Sequence, residues 1–321
     1  MHILVILVNM LAVFVAGTFG SMLKPKIAVS CQRVAVQGCG LLAIGLGGWG
    51  IIRQVSDIEA ASPEIEGSVL VVCVLVLGGM LGYGLSVQKV VARWVIASRN
   101  FFEGERGRAK RRTAKASRQA EVEAVRAEND ANGLPTFAEM PPLQTGDHHA
   151  DGFVLATMLV CSGSLLVTSL LEDGTVAAYV KVGIDALFAF VLGMVYGDGV
   201  SLASIPLAAA NGLLYAAHTG GKAFVTSCLV KIKADAWEAT NQLTVTDAKL
   251  AEFEKAVEST VKTWNTEVIA QVSVLAAVIM LAVGVVMAAE KKYRVMNLWP
   301  SYLLLYAYQW VVPVITAAIK G

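Results

Sequence analysis

The sequence predicts an all-α polytopic membrane protein with about eight transmembrane helices. The chain has 321 residues, of which 56% are hydrophobic and only 16% are charged. Its mean hydropathy is +0.62, which is far from the balance of a soluble domain. Its apolar residues form uninterrupted stretches near the roughly 20 residues that a helix needs to cross a bilayer. Such stretches lack the alternation of a membrane barrel, so helices are the structure that satisfies the backbone in lipid.

Eight apolar stretches account for most of the chain. They cover residues 4–22, 34–52, 67–87, 152–171, 176–196, 200–217, 268–289 and 298–318. No small-residue cleavage site follows a short apolar core at the start of the chain. We therefore expect the first stretch to be a retained helix and not a signal peptide.

Basic residues in the loops predict the topology, because Lys and Arg accumulate on the cytoplasmic side. The first loop carries Lys24, Lys26 and Arg33, and the segment after the third stretch is densely basic. The loops at 54–66 and 172–173 are acidic instead. We expect a multi-pass protein of the cell (inner) membrane, with both termini outside and residues 88–150 in the cytoplasm.

Polar segments divide the chain into five predicted regions. These are an N-terminal three-span unit with an interfacial helix (1–102), a basic cytoplasmic loop and linker (103–151), a central membrane core (152–218), an extracytoplasmic amphipathic segment (219–265) and two C-terminal spans (266–321). In the fourth region, apolar residues at spacings of three and four predict an amphipathic helix over 247–264. Its apolar stripe could rest on the membrane surface, on the bundle or on a second copy in a homo-oligomer.

An internal echo predicts an inverted repeat. Residues 37–50 align without gaps on 271–284, and Gln37 matches Gln271. These stretches are the second and seventh spans, which cross in opposite directions. A duplication would therefore relate spans 1–3 to spans 6–8 in inverted topology, around a central hairpin of spans 4 and 5, a common plan of secondary transporters.

Polar side chains at membrane depth are the candidate site, because such groups are costly in hydrocarbon and usually functional. Asp185 lies in the middle of the fifth span, and Lys181 shares its helix face at i and i+4. The two could form a structural ion pair, with Lys181 extending to the outer surface, or Asp185 could bind a cation or a proton. The full set of candidate residues for binding a substrate or ion is Asp185, Lys181, Asn9, Gln37, Asn211, Cys161, Ser162 and Ser164. Three prolines, Pro206, Pro300 and Pro313, are predicted to break or kink their helices.

Other chemistry finds little support in the sequence. The five cysteines form no CxxC pair, and the sequence lacks a P-loop, a dinucleotide fingerprint, an HExxH motif and a nucleophile elbow. We expect no cofactor, no metal site and no enzymatic activity. The basic loop has no aromatic platform, so we expect the lipid bilayer and not nucleic acid as its partner. The leading hypothesis is a secondary transporter or ion-conducting protein for an unidentified small solute. The alternative is a non-transporting scaffold that organises partner proteins.

Several of these residues resemble a known family. The run from Gly152 to Ser164, the turn Glu172-Asp173-Gly174, Lys181, Asp185, Ile205-Pro206 and Asn211-Gly212 are similar to the YdfK/YqgA-like bacterial membrane proteins, grouped as domain of unknown function 554. The stretch from Lys291 to Pro300 resembles the same family. Asn211 stands where the family usually has Gln, and Ala186 where it has Gly. The resemblance implies a multi-spanning inner-membrane protein and no particular substrate.

Overall fold

The chain folds into helices in a computed structural model that describes residues 2–61, 67–87, 90, 91, 93, 148–162, 175–241, 245–289 and 295–320, with no strand among them. In chain order the helices are α1 (His2–Leu23), α2 (Val29–Ala61), α3 (Gly67–Gly84), α4 (His148–Ser162), α5 (Thr175–Tyr196), α6 (Gly199–Leu202), α7 (Ser204–Asn241), α8 (Asp247–Ala288) and α9 (Pro300–Lys320). Short 3-10 turns at Lys24–Lys26 and Val295–Leu298 follow α1 and precede α9.

Six of these helices are long and apolar enough to cross a membrane. They are α1, α2, α5, α7, α8 and α9, which correspond to six of the eight predicted spans. The third predicted span is a shorter apolar helix, Val69–Gly84, and the fourth is described only as far as Ser162. The prediction of an all-α protein with apolar helices compatible with an integral membrane protein is confirmed.

Helices α7 and α8 form a hairpin much longer than a bilayer is thick. They contain 38 and 42 residues, so they are about 57 and 63 Å long at 1.5 Å per residue. Helix α8 begins at Asp247, as predicted, with the carboxylate in the first turn, where it favours the helix dipole. It then continues without a break into the seventh span, so the amphipathic segment 247–264 is not a separate surface helix.

The apolar stripe of this segment packs inside the protein. Val257, Val261 and Trp264 are buried, whereas Leu250, near the tip of the hairpin, is 38% exposed. Of the three surroundings left open by the sequence, the bundle is therefore the one that most of the stripe occupies.

Two of the three prolines lie in the first turn of a helix. Pro206 is the third residue of α7 and Pro300 is the first residue of α9. The first turn of a helix has no intrahelical acceptor for its N–H groups, so proline costs nothing there. Pro300 therefore does not interrupt its helix, whereas the predicted span 200–217, which contains Pro206, is interrupted at Ala203 between α6 and α7. Pro313 does lie inside its helix, α9.

Three helix pairs pack at very close range, with glycine at the contact. Helices α1 and α5 run parallel, because Asn9 meets Asp185 and Gly17 meets Gly193. Helices α2 and α8 run antiparallel, and a Cβ built on Gly40 would lie 2.7 Å from the backbone nitrogen of Ala288. Helices α3 and α9 are also antiparallel: Gly78 contacts Ser301 and Gly82 contacts Asn297. Such contacts let helix backbones approach closely, as is common between membrane helices.

Several predictions concern residues outside the described part of the chain. These are the loop and linker up to residue 147, the interfacial helix with Trp94, Phe101 and Phe102, the acidic turn at 172–173 and the stretch resembling the family at 291–294. The boundaries of the five regions likewise stay predictions.

Candidate functional site

Asp185 is held by two side chains in the interface between α1 and α5. Lys181 Nζ donates to Asp185 Oδ1, and Asn9 Nδ2 donates to Asp185 Oδ2 across 3.0 Å. The exposed fractions are 0% for Asp185 and Asn9 and 2% for Lys181. The carboxylate therefore faces neither lipid nor solvent, and each of its oxygens has a donor.

The helix register explains this arrangement. Ala178, Lys181, Val182 and Asp185 are spaced three and four apart, so they share one face of α5. The close approach of α1 and α5 at Gly193 brings Asn9 within hydrogen-bonding reach of that face.

The surroundings of this face are apolar and come from three helices. Val5 and Ile6 of α1 form a buried cluster with Ala178 and Val182 of α5, and Ala208 and Tyr215 of α7 pack against it. The ion pair therefore lies at a junction of α1, α5 and α7. We call this place the three-helix junction, defined by Asn9, Lys181, Asp185 and the apolar cluster beside them.

Lys181 does not extend to the outer surface. Its ammonium group contacts Asp185, and its side chain is among the largest fully buried ones. Desolvating two charges costs several kcal/mol per ion, and the attraction between them only about offsets this cost. The pair therefore contributes little net stability, and each buried charge is tolerated because its partner is present.

Unpaired polar atoms lie near the ion pair. Asn211 lies between Ala208 and Tyr215 on α7, close to the side of the helix that faces the junction. It is 1% exposed. Within the described residues, both polar atoms of its amide lack a hydrogen-bond partner, as does Asn9 Oδ1. Buried polar groups are nearly always paired, with protein, water or ligand. A polar ligand at the junction would satisfy the unpaired atoms of Asn9 and Asn211.

The structure brings together only part of the predicted set. Asp185, Lys181 and Asn9 are in contact, and Asn211 lies on the adjoining helix. Gln37 is half-buried on α2, whose main neighbour is α8. The side chains of Cys161 and Ser162 and the whole of Ser164 lie outside the described residues.

A second polar network joins α7, α8 and α9, and sequence reasoning missed most of it. His218 is buried, and its Nε2 atom lies 2.7 Å from Asn265 Oδ1. The His218 ring stacks on Trp264. Trp264 Nε1 donates to the backbone oxygen of Gln309, and Gln309 Nε2 donates to Gln271 Oε1 across 2.6 Å. Gln309 is an amide inside an apolar stretch and could have been found by that signal. His218 directly follows the predicted end of its span, so hydropathy placed it outside.

The junction presents both charged and neutral polar groups. A carboxylate, an ammonium group and two amides can hold ions or dipolar molecules. Within the described ranges, no three His, Cys, Asp or Glu residues are grouped so that they could hold a metal ion.

Comparison with known proteins identifies a family. No curated protein and no solved structure matches the sequence. The model of the family described as "Protein of unknown function (DUF554)" matches residues 4–234. This match covers more than half of the chain and includes Asn9, Lys181, Asp185 and Asn211. The chain is therefore a member of the DUF554 family, whose name states no function.

Proposed function

We propose that this chain is a secondary transporter for a small polar solute and that the three-helix junction is its binding site. The observation that carries the proposal is the buried Lys181–Asp185 pair, held by Asn9 in the interior of an apolar helix bundle. The same proposal excludes an enzymatic role.

Stability alone does not explain the presence of a buried ion pair at this position. Replacing a buried ion pair with well-packed apolar residues is often neutral or stabilising. Charged groups at membrane depth, by contrast, are typical of substrate and ion pathways. Among the residues whose burial the structure describes, Lys181 and Asp185 are the only buried Lys, Arg, Asp or Glu residues. This concentration of charge at one place favours a site over a structural contact.

The inverted repeat is part of the proposal. In the internal echo, each residue of α2 corresponds to the residue 234 positions later in α8, so Gly47 corresponds to Leu281. A two-fold axis between two antiparallel helices requires a residue on the axis to contact its own equivalent. A Cβ built on Gly47 would lie 2.8 Å from the backbone nitrogen of Leu281, which supports this symmetry.

The other helix pairings agree with the same plan. Spans 1, 2 and 3 would correspond to spans 6, 7 and 8, and α1 packs on α7, α2 on α8 and α3 on α9. The parallel pair α1–α5 and the antiparallel pairs α2–α8 and α3–α9 have the relative directions expected for eight alternating spans. With the positive-inside orientation, both termini lie outside the inner membrane and the tip of the α7–α8 hairpin is extracytoplasmic.

A scaffold is the second candidate, and the hairpin favours it. Helices α7 and α8 extend well beyond the thickness of a bilayer, which gives a partner protein a projecting element to bind. A scaffold needs no water at the three-helix junction, whereas a transporter must open it to each side in turn.

Thiol accessibility at Val182 tests the proposal without knowledge of the substrate. Val182 is 9% exposed and shares the helix face of Asp185. The variant Val182→Cys is made in a chain whose five native cysteines are replaced, and sealed vesicles of both orientations are treated with a membrane-impermeant thiol reagent. We expect labelling from both sides, because alternating access brings water to this position.

The matched control is Leu187→Cys on the same helix. Leu187 is 49% exposed on the outside of the bundle, where a thiol in lipid does not ionise and does not react. Labelling of neither variant, from either side, contradicts the transporter and favours the scaffold.

A further inference from the structure

We infer that the three-helix junction takes a small neutral zwitterion, an α-amino acid with a small uncharged side chain. This inference rests on the proposed function and names its substrate class. It depends on the net charge of the junction, on the number of unpaired donors and acceptors there, and on the apolar cluster beside them.

The junction has one positive and one negative side chain and is otherwise neutral. Lys181 and Asp185 contribute the charges, while Asn9 and Asn211 contribute amides. A ligand with one charge would leave the occupied site with a net charge in the interior, which is strongly unfavourable. A zwitterion keeps the sum at zero. It can also replace the internal ion pair with two new ones, in which its carboxylate pairs with Lys181 and its ammonium group with Asp185.

The hydrogen-bonding capacity matches the two ends of such a ligand. An ammonium group has three donors, and Asp185, Asn9 Oδ1 and Asn211 Oδ1 offer three acceptors. Both amide oxygens lack a partner in the described part of the chain. Asn211 Nδ2, also without a described partner, can donate to the ligand carboxylate beside Lys181. The groups left unpaired in the closed junction are thus those that an amino acid needs.

The neighbouring side chains set the size and polarity of the rest of the ligand. Val5, Ile6, Ala178 and Val182 are apolar and buried next to the ion pair. A charged ligand side chain would be left unpaired there, and a large one would separate α1 from α5. The surroundings therefore favour glycine, alanine or serine over acidic, basic or aromatic amino acids.

In the observed state the Lys181–Asp185 contact takes the place of the ligand. The two residues are four apart on one helix, with Cβ atoms roughly 6 Å apart, so the flexible lysine side chain can withdraw without movement of α5. The ion pair then keeps both charges satisfied between binding events.

Thermal unfolding of the purified full-length protein in detergent tests the inference. The probes are glycine, L-alanine and L-serine, compared with propionate and ethylamine, which each carry one of the two charges, and with sodium chloride at the same ionic strength. A ligand that binds only the folded form raises the melting temperature. We expect at least one of the amino acids to raise it, on the order of 2–5 °C near saturation, and the single-charge compounds to leave it unchanged.

Two variants assign the effect to the junction. The charge-free double variant Lys181→Met/Asp185→Asn should fold and should lose the whole shift. Ser273→Ala is the control, because Ser273 is a buried polar residue of α8 that bonds only its own helix at Ile269, and it should keep the shift.

Three results would overturn the inference. They are the absence of a shift with all three amino acids, an equal shift with propionate or ethylamine, and an unchanged shift in the double variant. A shift with sodium chloride alone that the double variant lacks would replace the zwitterion with a cation and leave the transport site in place. Failure of the transporter proposal itself is seen separately, as a Val182→Cys thiol that no reagent reaches.

Discussion

At the residue scale, Asp185 depends on its partners more than on its position in the sequence. One oxygen is held by Lys181 and the other by Asn9, so the carboxylate is fully paired although it is fully buried. Loss of Lys181 or of Asp185 alone would leave the other charge buried and unpaired. The same residues can be exchanged together, because the cost of burying two charges then disappears along with their attraction.

Stability measurements should show this coupling directly. Asp185→Asn and Lys181→Met each leave one unpaired buried charge, and each should lower the free energy of unfolding by about 3–5 kcal/mol. The double variant Lys181→Met/Asp185→Asn removes both charges and keeps an acceptor for Asn9. It should lose no more than about 1–2 kcal/mol, less than either single variant. Thermal or denaturant unfolding in mild detergent measures all three.

The contrary outcome is simple to recognise. If the loss in the double variant equals the sum of the two single losses, then Lys181 and Asp185 do not stabilise one another. Their contact would then support neither a structural nor a functional role for the ion pair.

Part of this site could be predicted from the sequence. Asp185 and Lys181 were found because charges inside an apolar stretch are conspicuous and i, i+4 spacing places them on one face. Asn9 was also in the predicted set, as an amide at membrane depth, but its direct contact with Asp185 could not be predicted, since the two residues are 176 positions apart in the chain. For the same reason, the sequence could not predict that Gln37 lies apart from this group.

At the element scale, glycine determines how closely the helices approach. Along α2, Gly47 lies against α8, where an added Cβ would be 2.7 Å from the backbone oxygen of Ala277. Gly48 is its neighbour in sequence but points into open space, with no atom within 4 Å of such a Cβ. The two residues have the same helix propensity and differ only in their surroundings.

Alanine at these two positions should therefore act in opposite ways. Gly47→Ala forces α2 and α8 apart and should cost about 1–3 kcal/mol through overpacking. Gly48→Ala meets no neighbour and should be neutral or stabilising by up to about 1 kcal/mol, because alanine favours the helix. Melting temperatures of the two variants in detergent decide the matter. An equal loss in both would mean that α2 and α8 are not packed in this register.

The helices were predictable from the sequence within the apolar spans and less so outside these spans. Hydropathy located the cores of α1, α2, α5, α7, α8 and α9, because a span must be apolar. It placed the end of the sixth span at Ala217, whereas α7 continues to Asn241. A helix needs only backbone hydrogen bonds to continue into water, so its end does not coincide with the membrane boundary. The predicted break near Pro206 agrees with the interruption of that span at Ala203, between α6 and α7.

At the scale of the whole molecule, the chain combines a compact set of helix pairs with one long projecting hairpin. The pairs α1–α5, α2–α8 and α3–α9 contribute the close glycine contacts, and α7 packs on α1 at the three-helix junction. The buried charges of the described residues, Lys181 and Asp185, therefore lie at a junction to which one helix of the long hairpin, α7, contributes Ala208 and Tyr215.

Water access and stability, measured in the same variant, test most directly whether the Lys181–Asp185 ion pair serves transport. The charge-free double variant Lys181→Met/Asp185→Asn is combined with Val182→Cys, and its melting temperature and its labelling by an impermeant thiol reagent are compared with those of Val182→Cys alone. If the ion pair serves transport, the double variant melts close to the parent protein but its labelling falls to the level of the Leu187→Cys control. If the folded double variant is labelled as fast as the parent, the buried charges do not control the access of water to the junction. The proposed role of the ion pair in transport is then wrong.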